Sequence, residues 1–191
     1  GGGTGINIGG GGGYDDAGPL QATGGNATYT YGSKKIHVFT ASGSLVCTSG
    51  SSTCEVFVVG GGGAGANGAC GGGGGGGVRD LTTPFSVGDA DGYTITVGAG
   101  GESPTGTGNN GYDGGDSSFI SVADPTNKVF ATGGGHGKYE GGPADPGGGC
   151  AGGGHGWSTP EGTAVASPDG ISPTTQGYPG GAGSGWSNGG G

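Results

Sequence analysis

The chain has 191 residues, 61 of them glycine, and carries five Lys and Arg against 14 Asp and Glu, a formal net charge of −9 at pH 7. This acidic balance, with no basic cluster larger than Lys34-Lys35, argues against a nucleic-acid partner. No window of 18 residues is continuously apolar, so no membrane span is predicted. The length favours one domain with glycine-rich ends.

Residues 1–25 are predicted to form a glycine-rich N-terminal arm, in which Ile6 and Ile8 are an isolated apolar pair followed by Gly9–Gly13. Two interpretations stay open: the arm docks on a neighbouring subunit, for example as an added strand, or it folds back on its own domain. A chain that begins with glycine and lacks methionine is expected to be a processed chain or a fragment of a larger protein.

Residues 26–132 are predicted to form one domain of eight short strands, rich in β-branched and aromatic residues and separated by Gly, Pro and Asn turns. The predicted strands are Ala27–Gly32, Lys35–Thr40, Ser44–Cys47, Cys54–Val59, Val78–Leu81, Tyr93–Val97, Ser117–Val122 and Asn127–Thr132. The first two and the next two are each expected to pair as hairpins. Because no 3.6-residue period appears, the predicted fold class is all-β, a small β-sandwich or jelly-roll-like domain.

The longest glycine run, Gly71–Gly77, lies between predicted strands, not between domains. Glycine loses more conformational entropy on folding than any other residue, so ordered glycine needs nearly complete backbone hydrogen bonding. Polyproline II helices packed side by side can supply it, since only glycine lets backbones approach so closely. We expect Gly60–Gly63 and Gly71–Gly77 to pack in this polyglycine II-like way with the runs of the tail; the alternative is that each run is a permissive loop.

The tail, residues 133–191, contains Val165 and Ile171 as its only branched aliphatic residues, so it cannot build a conventional core. We expect it to pack on the domain or on neighbouring subunits. Four tail aromatics, Tyr139, Trp157, Tyr178 and Trp186, are candidate ligand-binding residues because exposed rings can stack on sugars. The alternative is that they cap the glycine packing or lie between subunits.

Four cysteines, Cys47, Cys54, Cys70 and Cys150, form no CxxC pair and have no histidine at zinc-site spacing. They are predicted to form disulfides, which implies an extracellular compartment. A Cys47–Cys54 bridge would contribute about 2–3 kcal/mol, and a Cys70–Cys150 bridge, which would tie the tail to the core, about 4–5 kcal/mol. The alternative is four reduced, buried thiols.

The sequence offers little for catalysis or metal binding. Asp113 and Asp116 are interpreted as turn carboxylates bonded to nearby backbone N–H groups in preference to a calcium site. His136 and His155 lack further ligands at metal spacing, and neither a nucleophile elbow nor a phosphate-binding loop is present. We therefore expect no enzyme activity, no cofactor and no metal.

Asn26, in the sequon Asn26-Ala27-Thr28, is a candidate N-glycosylation site on the surface.

A set of segments resembles a known family. They are Lys35–Gly43, Glu55–Gly63, the glycines that lead into Val78-Arg79, Tyr93–Gly101, Gly111–Phe119 and Ala131–Gly135. Their order resembles the glycine-rich domain of phage tail-fibre and related extracellular fibre and surface proteins. The resemblance covers about residues 27–156 and implies a structural and adhesive protein. The cysteines, the arm and residues 157–191 fall outside the pattern.

These observations favour a non-enzymatic structural subunit of an extracellular fibre, either a self-assembling filament or a phage tail fibre. Its partners would be copies of itself, and its location extracellular or on the surface of a virion. The alternative is a receptor-binding or adhesin module that recognises surface carbohydrate or protein through the tail loops.

Overall fold

The computed structural model describes residues 20–68, 70–88, 91–139, 149–153 and 176–180. The described residues contain strands and no helix, which confirms the all-β class. The strands are β1 (Gln21–Gly24), β2 (Ala27–Tyr31), β3 (Lys34–Val38), β4 (Gly43–Ser49), β5 (Ser52–Val59), β6 (Val78–Val87), β7 (Gly92–Thr96), β8 (Ser117–Ser121) and β9 (Lys128–Ala131). All eight predicted strands are present. β6 continues six residues beyond its predicted end at Leu81, and β1, inside the predicted arm, is additional.

An antiparallel five-stranded sheet, in the order β1-β4-β7-β8-β9, forms one layer of a sandwich, and the β5–β6 pair lies against it. The expected β4–β5 hairpin is wrong, because β4 pairs with β1 and β7 whereas β5 pairs with β6. Gly50, with φ at 75°, lies in the connection where the chain passes from one layer to the other. The two strands are therefore consecutive in sequence but belong to opposite layers.

The core lies between these layers, and the side chains of the strands alternate between the core and the surface. On β7, Tyr93 and Ile95 are buried, whereas Thr94 and Thr96 are exposed. The Tyr93 ring stacks on Phe119 at 4.6 Å between centroids, and Phe85 from β6 meets Phe119 edge-on at 5.3 Å. Aromatic contacts of this kind contribute about 0.5–1.5 kcal/mol beyond the area that they bury.

The β2–β3 hairpin lies beside β1 and contacts it through side chains. His37 Nδ1 lies 2.8 Å from the carbonyl oxygen of Gly24, and Lys35 Nζ donates to the carbonyl oxygen of Ala22 at 3.4 Å. One face of the hairpin is therefore turned towards the edge of the large sheet.

Glycine-rich segments extend the sandwich at one end, because five strands run directly into them. β5 is followed by residues 60–67 and β6 is preceded by residues 71–77. In the same way, β7 leads into residues 98–101, residues 109–116 lead into β8, and β9 leads into residues 132–139. The strands thus fix the starting position and direction of each glycine segment.

Candidate functional site

Seven segments without strand structure are joined to one another by backbone hydrogen bonds of 2.8–3.5 Å. We call them the glycine lattice: residues 60–67, 71–77, 98–101, 109–116, 132–139, 149–153 and 176–180. The lattice confirms the predicted polyglycine II-like packing, and it is the most distinctive structure that the described residues form.

Hydrogen bonds within the lattice repeat every third residue. Segment 60–67 donates to 71–77 at one set of positions (Gly60→Gly77, Gly63→Gly74, Ala66→Gly71) and to 109–116 at the next (Gly61→Gly115, Ala64→Tyr112, Asn67→Asn109). Three residues per turn is the period of the polyproline II helix, whose backbone groups point outward. Each segment can therefore bond more than two neighbours, whereas a β-strand in a sheet bonds at most two.

Segment 132–139 has a donor row towards each of three sides. One row reaches 60–67 (Gly134→Gly61, Gly137→Ala64) and a second reaches 149–153 (Gly135→Cys150, Lys138→Gly153). The third row donates to side chains of segment 109–116: Gly133→Asp116, His136→Asp113 and Tyr139→Asn110, each at 2.8 Å. Asp113 and Asp116 thus bond backbone N–H groups, as predicted in kind, but those groups belong to a segment about 20 residues away. The three-residue spacing of Asn110, Asp113 and Asp116 is the sequence signal for this row.

Close approach, rather than unusual dihedral angles, requires glycine in the lattice. A Cβ on Gly74 would lie 2.1 Å from the carbonyl oxygen of Cys150, and a Cβ on Gly63 would lie 2.2 Å from that of Gly135. Neither residue is among those with positive φ. A Cβ on Gly75, by contrast, would meet nothing within 4 Å.

Gln176 joins the lattice to the sandwich. Its buried side chain accepts a hydrogen bond from the N–H of Thr132 at 2.9 Å and donates to the carbonyl oxygen of Phe130 at 2.5 Å. No sequence pattern marked this residue, because a single glutamine in a glycine-rich tail gives no periodic signal.

None of the four cysteines forms a disulfide in the structure, so the predicted disulfides are not present in it. The lattice also excludes the Cys70–Cys150 bridge. Cys150 donates to Gly75, five residues along the segment from Cys70, which is about 15 Å at the polyproline II rise. A disulfide needs Cα atoms within about 7 Å.

Cys47 and Cys54 lie close together in the sandwich core. Cys47 is buried, and Cys54 packs against the same cluster. Burial and the neighbouring Cys47 thiol raise the pKa of Cys54 to about 11. Burial also raises the pKa of Cys70, whose Sγ lies 2.8 Å from the carbonyl oxygen of Ala66 and 3.0 Å from that of Gly68, so that its single S–H can donate to either.

The predicted ligand-binding aromatics are not brought together among the described residues. Tyr139 is half-buried and its ring packs on Gly68 and Gly108, where added Cβ atoms would come within 3.1 Å of it. Tyr178 is 78% exposed. Trp157 and Trp186, together with His155, lie outside the described residues.

The sequon residue Asn26 is exposed, and its Oδ1 accepts hydrogen bonds from the N–H groups of Thr40 and Ala41 at 2.8 and 3.1 Å. Its glycosylation stays a prediction.

A polar groove of about 590 Å³ runs beside segments 109–116 and 132–139, and its lining includes Asn109, Tyr112, Asp113, His136 and Lys138. Asp113 Oδ1 accepts the N–H of His136 and lies 2.7 Å from the Nδ1 of the same residue. Tyr112 is 61% exposed. The groove therefore combines an exposed ring with both donors and acceptors of hydrogen bonds.

In the part of the chain that the structure describes, no three His, Cys, Asp or Glu residues are grouped in a way that could hold a metal ion. The described residues also contain no helix that is long and apolar enough to cross a membrane.

A family model described as a glycine-rich domain matches residues 40–191, about four fifths of the chain. No curated protein and no solved structure matches the chain.

Proposed function

The chain belongs to the glycine-rich domain family, and we propose that it is a non-enzymatic structural subunit of an extracellular fibre that assembles with copies of itself. The observation that carries the proposal is the glycine lattice, in which backbone groups rather than reactive side chains make the contacts. Such a unit is suited to mechanical support, because ordering it requires many hydrogen bonds to act together.

The lattice also supports assembly, because some of its glycines lie open at the surface. Gly62 and Gly75 are exposed, and a Cβ on either residue would clash with nothing. A further glycine-rich segment, from the same chain or from a neighbour, could approach such positions as closely as the existing segments approach one another. The predicted phage tail fibre and self-assembling filament both fit this property and differ in symmetry.

Microscopy and sedimentation test this proposal. We expect concentration-dependent assembly in analytical ultracentrifugation, and filaments or three-fold fibre tips in negative-stain images of native material. Fractionation of the source should place the protein outside the cell or on virions. A chain that stays monomeric at millimolar concentration, with no fibres in native material, would contradict the structural role.

A second candidate function is recognition of surface carbohydrate, and the polar groove favours it. The exposed Tyr112 ring can stack on the apolar face of a sugar, while Asp113 and Asn109 beside it supply hydrogen-bonding groups suited to hydroxyls. The groove is lined by residues of the hydrogen-bonded lattice, and a site that is already ordered before binding loses less entropy when a ligand binds.

A glycan array tests the second function and locates its site. If the groove binds sugar, Tyr112→Ala should abolish the signal while Tyr178→Ala, an exposed tyrosine elsewhere, should preserve it. Loss of signal in Trp157→Ala or Trp186→Ala instead would place binding in the tail loops. A chain that binds no glycan on the array would remove this candidate.

A further inference from the structure

Two pairs of neighbouring strands, the β2–β3 hairpin and the β5–β6 pair, carry most of the large apolar side chains that are exposed among the described residues. Tyr29, Tyr31 and Ile36, on β2–β3, are 60%, 79% and 44% exposed. Phe57, Val59 and Val78, on β5–β6, are 66%, 47% and 46% exposed. We call these six residues the outer patch.

The residues of each half share one face of their hairpin. Tyr29 lies directly opposite Ile36, and Val59 directly opposite Val78, so each pair projects on the same side. Phe57 is two positions from Val59 and lies on that side too. The inward-facing neighbours on β5, such as Val56, contact the core.

An ion pair joins the two halves of the patch. Lys34 lies opposite Tyr31, on the face that carries the tyrosines, and its Nζ is 2.5 Å from Oε1 of Glu55. Glu55 precedes Phe57 by two positions on the outer face of β5. The ion pair therefore places one end of the β2–β3 hairpin next to the outer face of β5.

Single exposed apolar residues are normal on a protein surface, whereas six exposed apolar side chains on two neighbouring strand pairs, three of them aromatic, are typical of an interaction site. The opposite face of the β2–β3 hairpin is already occupied, since Lys35 and His37 contact β1. The tyrosine face is the one that remains open to a partner.

We propose that the outer patch receives residues 4–8 of the N-terminal arm of a neighbouring copy; this rests on the proposed function. In an extended chain Ile6 and Ile8 project on one side, so the arm offers a short apolar strip to an apolar surface. The segment Thr4-Gly5-Ile6-Asn7-Ile8 carries no charged side chain. Of the charged groups beside the patch, Lys34 and Glu55 pair with each other, and Asp80, directly opposite Phe57, adds one negative charge.

The length of the arm allows it to reach the patch of a neighbouring copy. The arm joins the domain at Leu20, next to β1. From Leu20 back to Ile6 an extended chain spans about 46 Å. A compact domain of this size has a radius of gyration of about 16 Å, so the isoleucines can reach beyond their own subunit. Repetition of such a head-to-tail contact produces an open fibre where the rotation between copies does not close into a ring.

A photo-cross-linker on the apolar side of the arm tests where the arm binds. Thr4→p-benzoylphenylalanine projects on the same side as Ile6 and Ile8, and an equal mixture of ¹⁴N- and ¹⁵N-labelled chains separates cross-links between chains from those within one chain. We expect mixed-label cross-links to peptides from β2–β3 or β5–β6. Cross-links within single chains, or between chains but to other peptides, would overturn the proposal.

Substitutions on both sides of the contact give an independent measure. Two variants should each raise, at least about tenfold, the protein concentration at which half of the chains are assembled. One is the double variant Ile6→Ser, Ile8→Ser, and the other is the single variant Phe57→Ser. Val46→Ser and Val122→Ser are matched controls, since these valines are exposed away from the patch, and they should leave that concentration unchanged. If the unsubstituted chain never assembles, the proposed function fails. If it assembles and the arm variant does so at the same concentration, this inference alone fails.

Discussion

Two neighbouring glycines in the longest run should respond oppositely to the same substitution. In Gly74→Ala, the added methyl would lie 2.1 Å from the carbonyl oxygen of Cys150, 2.7 Å from its carbon and 2.8 Å from the carbonyl oxygen of Ala151. In Gly75→Ala, it would meet nothing within 4 Å. The two variants have identical composition and differ only in which side of one polyproline II turn receives the methyl.

The expected cost of Gly74→Ala follows from the bonds that must move. An ordinary contact with the Cys150 oxygen needs a displacement of more than 1 Å, whereas Cys150 N–H is held to Gly75 at 2.8 Å and Gly135 N–H is held to Cys150 at 3.0 Å. Overpacking costs about 1–3 kcal/mol, and each buried backbone group left unpaired costs about 1–3 kcal/mol. We expect a loss of about 3–5 kcal/mol in the free energy of unfolding.

Gly75→Ala should be neutral or stabilise the protein by up to about 1 kcal/mol, because alanine reduces the entropy of the unfolded chain where the native backbone accepts it. Denaturant and thermal unfolding measure both variants. For a chain of this length the difference corresponds to a separation of the two melting temperatures of about 10 °C. Equal stabilities would show that the run is a permissive loop and would refute the lattice in this region.

Three further effects should follow from the same structure. Gln176→Ala should cost about 2–4 kcal/mol of unfolding free energy, because the buried N–H of Thr132 loses this acceptor and the half-buried carbonyl oxygen of Phe130 loses this donor. Tyr178→Ala in the same segment should change the unfolding free energy by less than about 0.5 kcal/mol; equal costs would contradict the joining role of Gln176. Asp116→Ala should destabilise the protein by about 1–3 kcal/mol in denaturant unfolding, because the N–H of Gly133 loses its acceptor. Asp116→Asn keeps an acceptor oxygen and should cost much less. Similar losses in the two variants would mean that the carboxylate charge, not the hydrogen bond, matters. The raised pKa of Cys54 means that the folded state binds its proton more tightly than the unfolded state, so stability should fall as pH rises from about 9 to about 11. Cys54→Ala should remove that part of the fall, and an unchanged pH profile would argue against a buried thiol.

The sequence predicted most strands well, because β-branched and aromatic residues and a two-residue period of side chains are local features that each strand carries in its own sequence. The inward positions of β7 and the opposite faces of Phe57 and Val58 follow from the two-residue period and the choice of apolar residues. β1 escaped prediction because Gln21–Gly24 has neither alternation nor β-branched residues beyond Thr23, and it becomes a strand only through its pairing with β4. Pairing between distant segments is a tertiary effect that single-sequence patterns do not record.

The partners of the glycine segments could not be predicted, for a related physical reason. A run such as Gly71–Gly77 contains no side chain to fix its register, so every position is equivalent in sequence. The register comes from the strands at the ends of the segments and from three spaced acceptors, Asn110, Asp113 and Asp116. The absence of a Cys70–Cys150 bridge from the structure has the same origin, because the separation of the two residues depends on that register.

The sandwich and the lattice depend on each other for order. A two-stranded sheet such as β5–β6 is marginal alone, and its ladder continues beyond the strands through the bond from Gly60 to Gly77. Gly77 in turn donates to Thr132, which follows β9, so the first turn of the lattice ties the small sheet to the large one. The lattice meanwhile needs strands that enter it at fixed positions, since glycine alone carries no information about register. A chain with so few apolar residues can therefore fold because backbone hydrogen bonds in the lattice extend the small core.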